Sequence, residues 1–404
     1  MSSPSVTRED TPYSPLYFLA TLGSGGLMVT FFMFLMFWVP HPGRPVPIFE
    51  DITAAFLSGA LPLQTAIVVA MVGIAGLTFL LIKSLIWNLR HLSAFRATPA
   101  YQALRTSNAE TQLMAIPLAL AMVVNGGFIV GLVFVPGLWT VVEYLFPIAM
   151  IAFVLIGSYG LRIMRDFFGR VLINGGFDCA KNNSFAQVLP AFAFAMVGVG
   201  LAAPAAMSGS ALVAGVSFIL SSFFIVVAIL LAVANVILGL RAMMENGATA
   251  KSAPTLLVIV PLITVITIAW MRQNHGLHVH FDVHGGAGET LSMLTTLLMV
   301  QLAVLALGLT VLRRFGYVST FITGQEKSAG SYALVCPGVA LSVMLHFWLN
   351  KGLVASGLVD KFSLAYLLIS AVAIALQVAM IWLVLKLNAK HLGGTDRQVA
   401  VPAE

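Results

Sequence analysis

Charged residues are scarce in this 404-residue chain, where they make up 9% of the sequence, whereas soluble domains carry about 25%. The 21 lysines and arginines and the 15 aspartates and glutamates form short islands. Between the islands lie apolar runs of about 20 residues, which is long enough to cross a hydrocarbon core of about 30 Å. This pattern excludes a soluble enzyme and a nucleic-acid-binding protein. The two cysteines, Cys179 and Cys336, are too far apart to indicate a disulfide scaffold or a paired-cysteine metal motif.

Ten apolar runs predict an all-α integral membrane protein in which a single ten-span domain occupies residues 1–404. Short tails at 1–15 and 388–404 flank the spans. Short connections follow the odd-numbered spans and longer connections follow the even-numbered ones, which predicts five helical hairpins. The predicted spans are 16–39, 58–82, 113–135, 138–161, 186–207, 211–240, 254–271, 290–312, 331–349 and 363–387.

The basic residues predict the orientation of the chain. With ten spans, 17 of the 21 lysines and arginines lie on the side that holds both termini. Cytoplasmic segments carry an excess of basic residues, so both termini are expected in the cytoplasm, with the domain in the lipid bilayer of a bacterial-type inner membrane. The net charge of +6 therefore reflects topology and does not indicate a nucleic-acid partner.

Glycines, prolines and small polar residues interrupt mainly the odd-numbered spans. A backbone group freed in a spanning helix has no partner in lipid, so such breaks usually face protein or a water-filled cavity. The odd-numbered helices are therefore predicted to line a central pore. The alternative is that the small residues only allow close helix packing. The candidate pore-lining residues are Gly23, Ser24, Gly25, Asn125, Gly126, Pro190, Phe192, Phe194, Pro261, Cys336, Pro337 and Ser342.

The predicted membrane interior is almost free of charge. Glu143 is the only acidic residue within a predicted span, and no lysine or arginine is expected at mid-depth. Carriers driven by protons or sodium ions usually need carboxylates in the membrane. A passive route can instead use helix ends, backbone N–H groups and small polar side chains to favour an anion.

The ten-span plan and three short motifs resemble the tellurite-resistance/dicarboxylate transporter family, which includes the plant slow anion channels. The motifs are Leu16-Tyr17-Phe18 followed by Thr21-Leu22-Gly23-Ser24-Gly25-Gly26, then Gln187-Val188-Leu189-Pro190-Ala191, and Ser331-Tyr332-Ala333-Leu334-Val335-Cys336-Pro337. The resemblance implies an anion channel or facilitative transporter for small inorganic or organic anions. It also implies a pore through the odd-numbered helices and a homotrimer.

One position departs from that family. Its members commonly place a pore-blocking phenylalanine just before the proline of the ninth helix, where this chain has Cys336. Either gating moves to another residue, with Phe192 and Phe194 as candidates, or the pore handles a different species.

Cys179 offers a second function. It lies in the polar segment 174–185, where a neighbouring Lys181 would lower the pKa of the thiol if the side chains meet. Cys336 is expected near the same side of the membrane. The alternative to transport is thus a thiol-dependent membrane redox protein, or a sulfur- or selenium-handling protein similar to relatives of this fold that use cysteine or selenocysteine. An inert loop cysteine is the remaining interpretation, and apart from this thiol chemistry no enzyme activity is expected.

Half of the eight histidines occur between residues 275 and 284. Polar and apolar residues alternate from 277 to 284, which predicts a strand that carries its polar side chains on one face. Imidazoles and a carboxylate on one face suit Zn²⁺ or Cu²⁺, while the alternative is a lid that packs on the bundle. No other cofactor is expected. The candidate ligands are His278, His280, Asp282 and His284.

Overall fold

The computed structural model describes residues 13–392, and within this range the chain is helical with no β-strand. Ten helices are long and apolar enough to cross a membrane, which confirms the predicted number of long apolar helices. The parts of the predicted tails at 1–12 and 393–404 lie outside the described residues. The helices are α1 (Pro15–Trp38), α2 (Leu61–Phe95), α3 (Asn108–Phe134), α4 (Leu138–Asn174), α5 (Ala186–Met207), α6 (Ala211–Asn246), α7 (Ala250–Phe281), α8 (Ala287–Arg314), α9 (Ala329–Val354) and α10 (Leu364–His391).

Burial divides the ten helices into two groups. Between 50 and 100% of the most apolar window is buried in each odd-numbered helix, against 17 to 33% in each even-numbered helix. The odd-numbered helices contact one another in a closed series, α1 with α3, α3 with α5, α5 with α7, α7 with α9, and α9 with α1. Each also contacts the even-numbered helix that follows it. We call the odd-numbered helices the inner helices and the even-numbered ones the outer helices.

All five inner helices begin in the same way, with a 3-10 segment that continues as α-helix. In four of them a proline is the second or third residue of the α-helical part, and in α1 the proline opens the 3-10 segment. Proline suits a first turn because the N–H that it lacks would have no intrahelical partner there. The prolines are Pro15, Pro117, Pro190, Pro261 and Pro337.

A buried carboxylate ties together the chain around the start of α3. Glu110 is 1% exposed, and its two oxygens lie 3.1 Å from Arg105 Nε and 3.0 Å from Arg170 Nη2. Arg105 ends the short helix Pro99–Arg105, and Arg170 lies in the last turns of α4. The carboxylate therefore connects α3 with α4 and with the segment that follows α2.

Several helices extend beyond the predicted spans, since hydropathy identifies only their apolar part. The extension of α7 changes the secondary structure expected for the histidine-rich segment. The strand predicted for residues 277–284 is wrong, because α7 is helical as far as Phe281 and the chain turns at Asp282, which has a left-handed φ of 55°. At Gly276 a Cβ would lie 2.2 Å from the Ala205 carbonyl oxygen, so α7 and α5 touch at this point.

Candidate functional site: a central cavity

A cavity of about 970 Å³ lies among the inner helices. All five inner helices contribute to its lining, and α2, α6 and α10 contribute none of the lining residues in the described part of the chain. The closed series of inner helices thus surrounds the cavity, and the outer helices separate most of it from the lipid-facing surface.

The end of the cavity nearest the N-termini of the inner helices is lined by buried residues. On each inner helix the lining residue nearest the N-terminus is buried. We call these five residues the floor: Leu22, Met122, Phe192, Pro261 and Cys336. Lining residues at the other end lie in the exposed connections after the inner helices and form the mouth. From Leu22 to Met36 the cavity follows α1 over about 21 Å at 1.5 Å per residue.

Most of the cavity wall is apolar and rich in sulfur. Seven methionines line it in addition to Cys336, while Asn125 and Thr264 are among its few polar side chains. Both are engaged elsewhere, since Asn125 Nδ2 donates to the Ala121 carbonyl at 3.0 Å and Thr264 Oγ1 donates to the Ala340 carbonyl at 3.2 Å. An apolar wall screens charge less than water does, so a charged group in it acts more strongly on an ion inside the cavity.

Arg272 of α7 supplies such a charge. Its guanidinium lies deep in the protein, and its Nη1 donates to the Val199 carbonyl of α5 at 2.8 Å. The residue keeps intermediate exposure and lines the cavity. None of the ion pairs between residues 13 and 392 includes Arg272. The sequence placed Arg272 in the connection after a span ending at residue 271, whereas α7 continues to Phe281 and carries Arg272 along the cavity wall.

The mouth carries more positive than negative charge. Lys351, on the π-helical last turn of α9, is exposed and forms no ion pair with any described residue. Arg44 also lines the mouth, but its Nε donates to Asp51 at 3.0 Å and its Nη2 donates to the other carboxylate oxygen. Glu289 is the one carboxylate among the lining residues of the described chain. Arg272 and Lys351 therefore leave the lining with a net positive charge.

The predicted pore-lining residues divide into two sets. Gly23, Asn125, Phe192, Pro261 and Cys336 line the cavity. The other predicted positions do not appear in its lining. They are Ser24, Gly25, Gly126, Pro190, Phe194, Pro337 and Ser342.

Glycines of the second set bring inner helices close together. A Cβ on Gly25 would lie 2.5 Å from Met122 of α3, and a Cβ on Gly126 would lie 2.5 Å from Met28 of α1. Ser24 Oγ donates to the Ala20 carbonyl of its own helix at 3.0 Å. At these positions the small residues serve helix packing.

Other members of the second set face the outer helices. Ser342 Oγ donates to the Ala373 carbonyl of α10 at 2.9 Å. The Phe194 ring stacks on Phe224 of α6 with 6.0 Å between the ring centroids. Phe192 lines the cavity. Of the two candidate gating phenylalanines, Phe192 is thus the one at the floor.

The two cysteines are both free thiols in different surroundings. Cys336 is buried at the floor of the cavity, and Cys179 is exposed in the connection between α4 and α5. Lys181 Nζ lies 3.1 Å from the Asp178 carboxylate and its backbone N–H donates to the same group at 3.0 Å. These hydrogen bonds lower the pKa of Asp178, so the lysine expected to act on Cys179 is paired with Asp178.

The histidine-rich segment is split between two surroundings. The rings of His278 and His284, both at the mouth, have centroids 5.1 Å apart, and each Nδ1 lies within 3.1 Å of a backbone carbonyl oxygen. His280 Nε2 lies 2.9 Å from the Ser208 carbonyl beyond the end of α5, and the Asp282 side chain is exposed. Residues 13–392 contain no group of three or more His, Cys, Asp or Glu side chains placed to hold a metal ion. The predicted single face does not form, since the segment is not extended.

Sequence reasoning missed Arg272, although the sequence held a signal for it. The lining positions on α7 include 261, 264, 268, 272, 275 and 278, which are spaced three or four residues apart as on one helix face. That period crosses the predicted end of the span without interruption. No protein-family model and no curated protein sequence matches this chain.

Proposed function

We propose that this chain is an anion channel or facilitative transporter for small inorganic or organic anions, and that it acts in a bacterial-type inner membrane. The observation that carries the proposal is the Arg272 guanidinium, which lines a largely apolar cavity without a carboxylate partner in the described chain. A positive charge held in surroundings of low polarity attracts an anion and repels a cation.

On this proposal the inner helices enclose the pore and the cavity is its outer vestibule. Both termini are cytoplasmic, so the mouth faces the periplasm and the floor faces the cytoplasm. The Phe192 ring closes the floor and takes the gating role, with Cys336 beside it in place of the family's phenylalanine. The homotrimer that the family resemblance implies belongs to the same proposal.

Two further candidates come from the remaining groups. A thiol-dependent redox or sulfur-handling activity would act through Cys179, which is exposed and therefore accessible to a thiol reagent or a partner. A divalent-metal site at the mouth would use His278 and His284. If each Nδ1 donates to its neighbouring carbonyl, His278 Nε2 is available to a metal, and His284 Nε2 lies 3.6 Å from Asp282 Oδ1.

The test is a flux assay on purified full-length protein in liposomes. Chloride, nitrate and a small carboxylate such as malate are each presented under a fixed membrane potential. We expect uptake of at least one of them, and a Cys179→Ser variant should retain that rate. If folded protein transports none of the panel, anion transport is rejected. If activity is found and Cys179→Ser abolishes it with the protein still folded, the thiol candidate replaces the passive pathway.

A further inference from the structure

A second cavity lies on the outside of the bundle, as a groove of about 670 Å³ between α4 and α6. One face of α4 forms one wall, with lining residues at 158, 161, 162, 164, 165 and 168, each of which has another member three or four positions away. Val227 and Leu231 of α6 form the other wall, and Phe194 of α5 lies at the bottom. The groove therefore reaches from the surface to an inner helix.

The groove is apolar along most of its length and basic at one edge. Arg162 and Arg165 are its two charged lining residues, and both are exposed. The nearest carboxylate, Asp166, lies 3.0 Å from Arg165 Nη2 and 3.7 Å from Arg105 Nη2. Arg162 takes part in none of the ion pairs between residues 13 and 392. Its charge is free for a ligand.

The arginines lie at a depth that suits a lipid headgroup. Arg162 lies about 36 Å along α4 from Leu138 at 1.5 Å per residue, just beyond a hydrocarbon core of about 30 Å. Leu231 of α6 lies about 30 Å along its helix from Ala211, by the same rise. With Leu138 and Ala211 placed at the opposite boundary of the bilayer, the apolar walls would lie beside acyl chains and the two guanidinium groups beside phosphates.

We propose that this groove binds one anionic phospholipid, with an acyl chain packed against Phe194, Val227 and Leu231 and the phosphate held by Arg162 and Arg165. Guanidinium groups recognise phosphate through paired N–H donors and are less strongly hydrated than ammonium groups. The combination of an apolar groove open to the bilayer and an unpaired arginine at its edge selects a lipid over a peptide, because a peptide backbone in the groove would lack hydrogen-bond partners. This binding does not depend on what the central cavity transports.

The test is native mass spectrometry of the purified full chain in detergent, titrated with phosphatidylglycerol or with phosphatidylcholine of the same acyl chains. The wild type should retain one phosphatidylglycerol in preference to phosphatidylcholine. The double variant Arg162→Ala/Arg165→Ala should bind phosphatidylglycerol about tenfold more weakly, since each basic residue near a membrane surface contributes roughly fivefold and Arg165 is partly neutralised by Asp166. The matched control is Arg313→Ala/Arg314→Ala, two exposed arginines at the end of α8 that do not line the groove, and it should bind as the wild type does.

A second variant tests the apolar part of the site. Val227→Trp places a bulky side chain on the α6 wall and should remove retention of the lipid without changing either arginine. The proposal is overturned if the wild type retains the two lipids equally. It is also overturned if phosphatidylglycerol binding is unchanged in both the Arg162→Ala/Arg165→Ala protein and the Val227→Trp protein. A complex of several copies that dissociates in Val227→Trp would also overturn it, because the groove would then be an interface between copies of this chain.

Discussion

Replacing Arg272 by methionine should weaken anion uptake about 30-fold. The substitution removes the charge and keeps an unbranched apolar side chain in the cavity wall. For an anion about 6 Å from the guanidinium and an effective dielectric constant of about 30, between protein and water, the lost attraction is about 2 kcal/mol. This free energy corresponds to a factor of about 30 in affinity.

The assay is uptake into liposomes over a range of anion concentrations, so that a loss of affinity is separated from a loss of maximal rate. Two controls accompany it. Arg272→Lys keeps the charge and should remain within about threefold of the wild type, a change of less than about 1 kcal/mol. Arg313→Met removes an exposed charge that does not line the cavity and should leave uptake unchanged.

Ionic strength provides an independent check on the electrostatic origin. The Debye length shortens from about 10 Å at 0.1 M salt to about 3 Å at 1 M. Raising the concentration of an impermeant salt should therefore narrow the gap between the wild type and Arg272→Met. If Arg272→Met is folded and transports at the wild-type rate, or if Arg272→Lys is as impaired as Arg272→Met, the guanidinium serves only to join α7 to α5 and the electrostatic argument is refuted.

Three further predictions concern the floor, the start of α3 and the contact between α5 and α7. Phe192→Ala should raise anion flux about tenfold, equivalent to about 1.4 kcal/mol off the barrier, whereas Phe194→Ala should not raise it, as measured in the same liposomes. Glu110→Gln should lower the free energy of unfolding by about 1 to 3 kcal/mol, because it removes a buried carboxylate between two partly exposed arginines. The measurement is a denaturation series in detergent, and an unchanged denaturation midpoint would contradict the stabilising role of this carboxylate. Gly276→Ala should destabilise the protein by about 1 to 3 kcal/mol through overpacking against the α5 backbone, seen as a lower melting temperature, with Gly286→Ala in open space as the control.

The number and type of the helices follow from the sequence because the bilayer imposes one simple rule. A segment that crosses the membrane must satisfy its own backbone and must be about 20 residues long. Runs such as 211–240 meet both conditions without any tertiary information. The concentration of glycine and proline in odd-numbered spans likewise anticipated the helices that are most buried in the structure.

The side chains of the site were harder to predict, because a small residue in a spanning helix has two uses. Gly23 and Gly25 lie on the same stretch of α1, yet Gly23 lines the cavity and Gly25 packs on Met122. Which face of α1 points inward depends on the rotation of the helix, and rotation is set by contacts with α2, α3 and α9. Composition alone contains no information about those contacts.

The end of α7 shows a different difficulty. From Leu277 to His284 the polar and apolar residues alternate over eight positions, too few to distinguish a strand from the last turns of an amphipathic helix. In the structure the segment is helical as far as Phe281, and it contacts α5 through Gly276, which packs on the α5 backbone, and through Arg272, which donates to a carbonyl of α5. Both contacts are tertiary, so local periodicity had no means of detecting them.

The shared start of the inner helices adds a second electrostatic contribution to the proposed pathway. The floor residues lie within about two turns of the points where the five 3-10 segments become α-helix. Each helix N-terminus carries about half a positive charge, and here five such termini lie on the same side of the floor. An anion that passes Arg272 from the mouth therefore approaches positive potential on the far side of the floor as well. We therefore expect the Phe192 ring, rather than charge, to be the main barrier at the floor. For this reason removal of the Phe192 ring should raise anion flux, whereas removal of the Arg272 charge should lower it.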